Sequence, residues 1–420
     1  MDVRVVKIGE VNSPRDLCTL SRRTRLKLVF DLKEAFVDDM VGVVLLTGGP
    51  EWFSSGADIK ELSQSTSECE TGGSLTVARM FLDTYRTHNL APIVEMIDSA
   101  PKPVVAFVGG NAYGGGLELA LACQYRICSQ HARLRFPEVG LGIIPGALGT
   151  QLLPRICSSF QLCLDMCVDT KWVDAKQALK SDIVDQVLPY TAEEKFVGAT
   201  SAEGFSRMME RVRALLSTFL AAPSGRFAQH PFKRSSLRLP CVSSVEAMEL
   251  SYAKLRSLPG VENGGRAQRS CIHALMAAVR AGSDFVQGAL VEARTQAYLI
   301  GSPEAMALRY YFLAERAASK PPSELRLLKR LRGVPRSSNS SAVLPLGDGE
   351  GIVAPNPLDS KANNLKLPPS TSVSLVGVVG AGQMGAGIAA SLLRAGYSVM
   401  LSDTSPAALR RAKVTVGAIL

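Results

Sequence analysis

Two glutamates stand in apolar company beside glycine-rich turns. Glu118 lies in Tyr113-Gly114-Gly115-Gly116-Leu117-Glu118-Leu119. Glu138 follows twenty residues later in Phe136-Pro137-Glu138-Val139-Gly140, ahead of Gly142-Ile143-Ile144-Pro145-Gly146. Three consecutive glycines weaken any regular element, so they need a reason. Close approach of backbone to a ligand is one. A helix N-terminus aimed at developing negative charge is another. A tight, densely packed turn is the plain alternative. A third segment, Glu51 to Leu62, holds the small residues Ser54 to Ala57, which let a backbone N–H face a site or simply turn a strand into a helix. A buried carboxylate without a partner is costly. Glu118 therefore sits either on an exposed helix face or in a reactive site. Two such glutamates beside Gly-rich turns suggest acid–base chemistry next to an oxyanion site.

A second constellation is separate. Leu375 to Ile388 contains Gly380, Gly382 and Gly385 in G-x-G-x-x-G spacing, after a strand-like run and before an amphipathic segment. A second strand, Tyr397 to Leu401, leads to Asp403, 23 residues after Gly380. In that context the glycines suit a pyrophosphate at a helix N-terminus and Asp403 a ribose hydroxyl, the start of a dinucleotide-binding βαβ unit.

The elements that must position these groups alternate between strand and helix. Val41 to Thr47 and Val104 to Val108 are continuous apolar runs ended by glycines. Such runs suit strands buried on both faces. Longer mixed segments near 25–37 and 75–98 lie between them, and Leu117 to Cys123 reads as a buried helix. Residues 1–195 are α/β, 196–332 mainly helical, and 333–372 a flexible linker rich in Ser, Asn, Gly and Pro. Residues 373–420 turn apolar and glycine-rich again. Ser302-Pro303-Glu304 opens a helix over 303–319 that must stop before Pro321-Pro322.

The chain has 420 residues, enough for two or three domains. Its 46 % apolar and 20 % charged content excludes a wholly disordered, fibrous or coiled-coil protein. No apolar stretch of about 18 residues predicts a membrane span. Met1-Asp2-Val3-Arg4 lacks the apolar core of a signal peptide. Nine scattered cysteines without a Cys-x-x-Cys pair, and only four histidines, predict reduced thiols and no metal site. The net charge of +9 attracts anions in general and leaves nucleic acid, anionic lipid and phosphate-bearing cofactors open.

Residues 1–195 resemble the crotonase, or enoyl-CoA hydratase/isomerase, superfamily. The match runs through Phe53 to Leu62, Lys102 to Ala106, Gly114 to Ala120, Phe136 to Glu138 and Gly149 to Arg155. It continues in Asp174-Ala175 with Ala178-Leu179, and in Ile183-Val184-Asp185. The resemblance implies a ββα-type spiral. It also implies that the N–H groups of Ala57 and Gly115 form an oxyanion hole for a coenzyme A thioester. Glu118 then orients and deprotonates water and Glu138 acts mainly as the acid; the residues alone do not assign those roles. A member with both glutamates resembles the hydratases, which add water to trans-2-enoyl-CoA. Isomerisation of a 3-enoyl-CoA is a second activity the same site could support. Asp58, Ile59 and Lys60 line the path of the coenzyme A chain by the same analogy, although Lys60 is equally an ordinary solvated lysine. Leu148 departs from the pattern, standing where relatives often carry glycine or arginine, and residues 9–40 match loosely.

Residues 375–388 resemble the start of the 3-hydroxyacyl-CoA dehydrogenase domain, which uses NAD. Ala307 to Arg316 resemble the linker helix of peroxisomal bifunctional enzymes, which join the two activities. No histidine follows His273, so the dehydrogenase's catalytic His–Glu pair has no place here and no dehydrogenase activity is expected from these 420 residues. The expected compartment is the peroxisome, by resemblance only. The C-terminal residues Gly417-Ala418-Ile419-Leu420 are not a Ser-Lys-Leu-type signal. Two competing readings are an RNA-binding homologue, suggested by Arg226, Lys233, Arg234 and Arg238, and a non-catalytic scaffold. Sparse aromatics, 6 %, and the lack of a recognised motif weigh against nucleic acid. Self-association is compatible with the family.

Overall fold

The computed structural model describes residues 2–9, 17–64, 90–198, 200–221, 235–260, 265–318, 352–353 and 375–419. Arg226, Lys233 and Arg234 lie outside the described residues, as does nearly all of 333–372. The chain divides into two compact units, Met1–Pro322 and Ser323–Leu420.

The first unit begins with β1 (Asp2–Lys7), α1 (Arg22–Val37), β2 (Val41–Thr47), β3 (Trp52–Ser54) and α2 (Ile59–Gln64). Then come α3 (Ala91–Asp98), β4 (Val104–Val108), β5 (Asn111–Tyr113) and α4 (Gly115–Ala122). They are followed by β6 (Tyr125–Ser129), β7 (Arg133–Arg135), a 3₁₀ turn (Glu138–Leu141), α5 (Gly149–Ile156) and α6 (Phe160–Val168). Next are β8 (Val173–Asp174), α7 (Ala175–Lys180), β9 (Gln186–Leu188) and α8 (Ala192–Phe196). Helices α9 (Ala202–Ala221), α10 (Ser244–Ser257), α11 (Arg266–Ala281), α12 (Phe285–Ile300) and α13 (Pro303–Ala318) complete it.

One sheet has the order β1-β2-β4-β6-β9 and is parallel throughout. The other has the order β3-β5-β7-β8, with only β8 antiparallel. The chain gives a strand to the first sheet, then a short strand to the second, then a helix, and repeats. That is a ββα-type spiral.

The apolar runs follow from what covers each face. Side chains alternate across a strand. Val43, Leu45, Val105 and Phe107 point to one side, against Met208, Val212 and Leu216 of α9. Val44, Leu46, Val104 and Ala106 point to the other, into a core that includes Leu117 and Leu119 of α4. The later helices join that same core through Ala247, Cys271, Leu275, Leu299 and Ala305. Side-chain caps start several helices: Ser159 accepts from Leu162 N–H, Asp284 from Gln287 N–H and Ser302 from Ala305 N–H. Each such cap is worth about 1 kcal/mol. Among the described cysteines only Cys241 is exposed. No described helix is long and apolar enough to cross a membrane.

The second unit contains β10 (Ile352–Val353), β11 (Leu375–Val379), α14 (Gln383–Arg394), β12 (Ser398–Ser402) and α15 (Pro406–Ile419). β11 and β12 are parallel, with α14 between them in sequence, and β10 is antiparallel to β12. Val378, Ala386, Leu393, Val399 and Leu401 form its small core.

The triple glycine has a steric cause. Gly114 has φ +48°. A Cβ on Gly116 would lie 2.6 Å from Ser54 Cβ and 2.7 Å from Ser54 O, neither of which can swing away. Gly116→Ala should therefore cost about 1–3 kcal/mol through overpacking. The expected readout is a lower urea midpoint with an unchanged slope.

Candidate active site

β3 and β5 are parallel neighbours, so the chain leaves both at the same edge of the second sheet. The segments that follow them, 55–58 and 114–116, must then lie side by side. A Cβ on Gly56 would be 3.2 Å from Gly115 N, and one on Gly115 would be 3.8 Å from Ala57 N. Ser54 pins the first segment: its hydroxyl donates to Cys18 O (2.8 Å) and accepts from Gly56 N–H (3.1 Å). Leu20 N–H donates to Gly56 O from the other side (2.9 Å). Among the described residues neither Ala57 N–H nor Gly115 N–H has an acceptor. Two adjacent free donors, one of them opening helix α4, form an arrangement that can hold an oxyanion. Asp58 accepts from Lys60 N–H (2.9 Å) and so starts α2, where Ile59 is half-buried and Lys60 exposed.

Glu118 sits one turn into α4, whose eight residues are all buried. Its exposure is 3 %, which removes the exposed-face alternative. Its Oε1 accepts two backbone N–H groups, from Ala147 and Gly149, each at 2.8 Å. Burial nevertheless pushes its pKa up to about 7, against the lowering effect of those two donors. Glu138 opens the 3₁₀ turn, and its Oε1 would lie 2.4 Å from a Cβ on Gly114. The residue is partly exposed, yet its Oε2 is enclosed and has no hydrogen-bond partner among the described residues. Burial raises the Glu138 pKa well above the ordinary carboxylate value, and the charge of Glu118 raises it further. The structure thus gathers Ala57, Gly115, Glu118 and Glu138 around the N-terminus of α4.

A third carboxylate, not singled out from the sequence, completes the group. Glu292 on α12 is 1 % exposed. It accepts from Leu148 N–H (2.6 Å), Thr150 N–H (2.9 Å) and the Thr150 hydroxyl. Burial and then the charge of Glu118 push its pKa up to about 8. Gln296, one turn on, accepts from Ile144 N–H (3.1 Å). α13 packs against the turn after Glu138, where a Cβ on Gly142 would be 2.7 Å from Ala305 Cα. In sequence, Val291-Glu292-Ala293-Arg294 looks like any amphipathic helix, so only its two partners 142 and 144 residues away could have marked it.

The second unit keeps its glycines for similar reasons. Gly380 has φ +98°. A Cβ on Gly385 would lie 1.7 Å from Gly380 O, whereas one on Gly380 or Gly382 would enter open space. Asp403 accepts from Ala381 N–H (2.6 Å) and Ser405 N–H (2.8 Å), which hold its carboxyl below the ordinary value. Of the basic stretch only Arg238 is described; it is half-buried and its Nε is enclosed.

Residues 3–222 match the enoyl-CoA hydratase/isomerase family model. The chain belongs to that family. Residues 375–420 match the 3-hydroxyacyl-CoA dehydrogenase NAD-binding domain. Among curated relatives, the peroxisomal bifunctional enzyme of Homo sapiens is 31 % identical over 389 residues, covering 93 % of this chain and 43 % of that one. The Danio rerio enzyme of the same name is 32 % identical over 338 residues, covering 80 % of this chain and 40 % of the relative. The chain thus spans less than half the length of these relatives. An enoyl-CoA hydratase from Rhodobacter sphaeroides 2.4.1 superposes with a TM-score of 0.52 at 18 % identity, over 77 % of this chain and 94 % of that one. That likeness shows the crotonase fold alone. The family match extends through α9, which covers the outer face of the first sheet.

The buried carboxyls make a pH prediction. A carboxyl whose pKa is higher in the folded state binds more protons there, so stability falls as pH rises from its ordinary value to the raised one. Glu118→Gln can keep both N–H bonds on Oε1 while removing the charge. Its thermal midpoint relative to wild type should climb between pH 5 and pH 8. A difference that stays constant with pH contradicts a buried, titrating Glu118.

Proposed function

We propose that the first unit is an enoyl-CoA hydratase of fatty-acid β-oxidation. The observation that carries this reading is the placement of two free N–H groups, Ala57 and Gly115, beside two carboxyls with raised proton affinity. In this reading the thioester carbonyl oxygen accepts from both N–H groups, which stabilise the enolate as charge develops on it. Glu118, whose pKa burial pushes up to about 7, takes a proton from water in its ionised form as the hydroxyl oxygen bonds to C3 of the trans-2-enoyl chain. Glu138, whose proton affinity is raised by burial and by the charge of Glu118, delivers a proton to C2. The product is a 3-hydroxyacyl-CoA. Asp58, Ile59 and Lys60, directly after the oxyanion residue, flank the coenzyme A chain. The enclosed, unpaired oxygen of Glu138 also suits shuttling one proton along an enoyl chain, so 3-enoyl-CoA isomerisation is a second activity of the same site.

In the same reading residues 373–420 are the start of a 3-hydroxyacyl-CoA dehydrogenase domain, joined through 333–372 to a crotonase domain (1–195) and its helical extension (196–332). The open space at Gly380 and Gly382 supports a dinucleotide pyrophosphate there, with Asp403 as the acceptor for a ribose hydroxyl of NAD. NAD supplies the hydride acceptor when bound. The names of the curated relatives support a peroxisomal location, and the family match supports an acyl-CoA partner.

The test is hydration of crotonyl-CoA, followed as loss of enoyl-thioester absorbance. Glu118→Gln and Glu138→Gln should each lower kcat by about 10²–10⁴, the usual contribution of a positioned acid or base. A folded wild-type chain that hydrates no enoyl-CoA overturns the reading.

A further inference from the structure

Four successive N–H groups, Ala147 to Thr150, go alternately to two buried carboxylates. Ala147 and Gly149 donate to Glu118 Oε1; Leu148 and Thr150 donate to the two oxygens of Glu292. The segment is also strained. Leu148 has φ +75°, a left-handed conformation that costs a non-glycine residue about 1–2 kcal/mol. Such a residue persists only where its surroundings over-determine it. Here the surroundings are α12. Glu292 grips the turn, Gln296 holds Ile144 N–H, and a Cβ on Gly288 would touch Gln151 Oε1 at 2.2 Å.

A helix start needs its N–H groups satisfied, and a serine or threonine does that without charge. Glu292 instead brings a second buried carboxylate to the neighbourhood of Glu118, whose charge opposes its own. Unlike Glu118, it uses both oxygens as acceptors, so a glutamine there must lose at least one of these bonds.

We propose that Glu292 is a positioning residue for the hydration: by fixing the strained 147–150 turn, it aims the Ala147 and Gly149 N–H groups that orient the Glu118 carboxylate. This rests on the function proposed above. Glu292 touches no reacting atom. It acts through the turn, and it brings α12, far along the chain, into the catalytic geometry.

The experiment compares wild type, Glu292→Gln and Thr150→Val. Thr150→Val removes the hydroxyl donor to Glu292 and keeps every N–H. Each is assayed for kcat and KM with crotonyl-CoA and for amide hydrogen exchange across 144–151. Glu292→Gln should exchange faster at 147–150 and lose roughly 10–100-fold in kcat, the scale expected of a small misplacement of a catalytic group. KM should stay within about twofold, because the thioester donors Ala57 and Gly115 are untouched. Thr150→Val should shift both readouts in the same direction by less. Faster exchange with wild-type kcat reduces Glu292 to a helix cap and overturns the proposal, as does unchanged exchange. If Glu292→Gln does not fold, Thr150→Val decides, and wild-type behaviour in it is equally fatal. A wild type that hydrates nothing sinks the proposed function instead. Exchange at 147–150 then decides whether Glu292 holds the turn: faster exchange supports it and unchanged exchange rejects it.

Discussion

The first backbone amides of helix α5 need acceptors in a place water does not reach. An unsatisfied buried N–H costs about 1–3 kcal/mol, and here several converge on one turn. The chain meets that demand with two carboxylates approaching from opposite parts of the sequence, Glu118 on α4 and Glu292 on α12. Each is costly to bury and each disfavours the charge of the other. Alternate N–H groups of one turn keep them in place. The close glycine contacts of α4, the left-handed Leu148 and the packing of α12 on residues 144–151 all serve this one arrangement.

The other half of the site is neutral and built from backbone. It follows from topology rather than from side chains. Parallel pairing of β3 with β5 sends both chain exits to one edge, and the absence of Cβ atoms at Gly56 and Gly115 lets those exits close on each other. Strand exits therefore set the two donors, while the orientation of the Glu118 carboxylate depends on a turn that must be held. The two halves differ in how they fail. Damage to the first disturbs packing; damage to the second disturbs orientation within an intact fold.

Much of this was legible from residue order. Val41 to Thr47 and Val104 to Val108 read as buried strands because helices cover both faces of their sheet, leaving no polar alternation. The triple glycine pointed to close approach, and Ser54 is what it approaches. Glu118 and Glu138 stood out as carboxylates among apolar neighbours. Glu292 did not, because a glutamate in an amphipathic helix normally faces water, and periodicity carries no information about a partner 144 residues away. The strain at Leu148 was hidden too. A leucine ordinarily signals a core position with ordinary backbone, so nothing in the residue order marked the positive φ of Leu148.

The distance in sequence between the two carboxylates also sets an order of events. A nascent chain emerges from its N-terminus at roughly 5–20 residues per second. Glu118, Glu138 and the 147–150 turn are outside the ribosome well before α12 (Phe285–Ile300) is. For that interval the spiral can form its sheets, but the turn has only one of its two carboxylates. The turn with both carboxylates is thus a late product of synthesis, completed by a helix that the strands do not need for their own pairing.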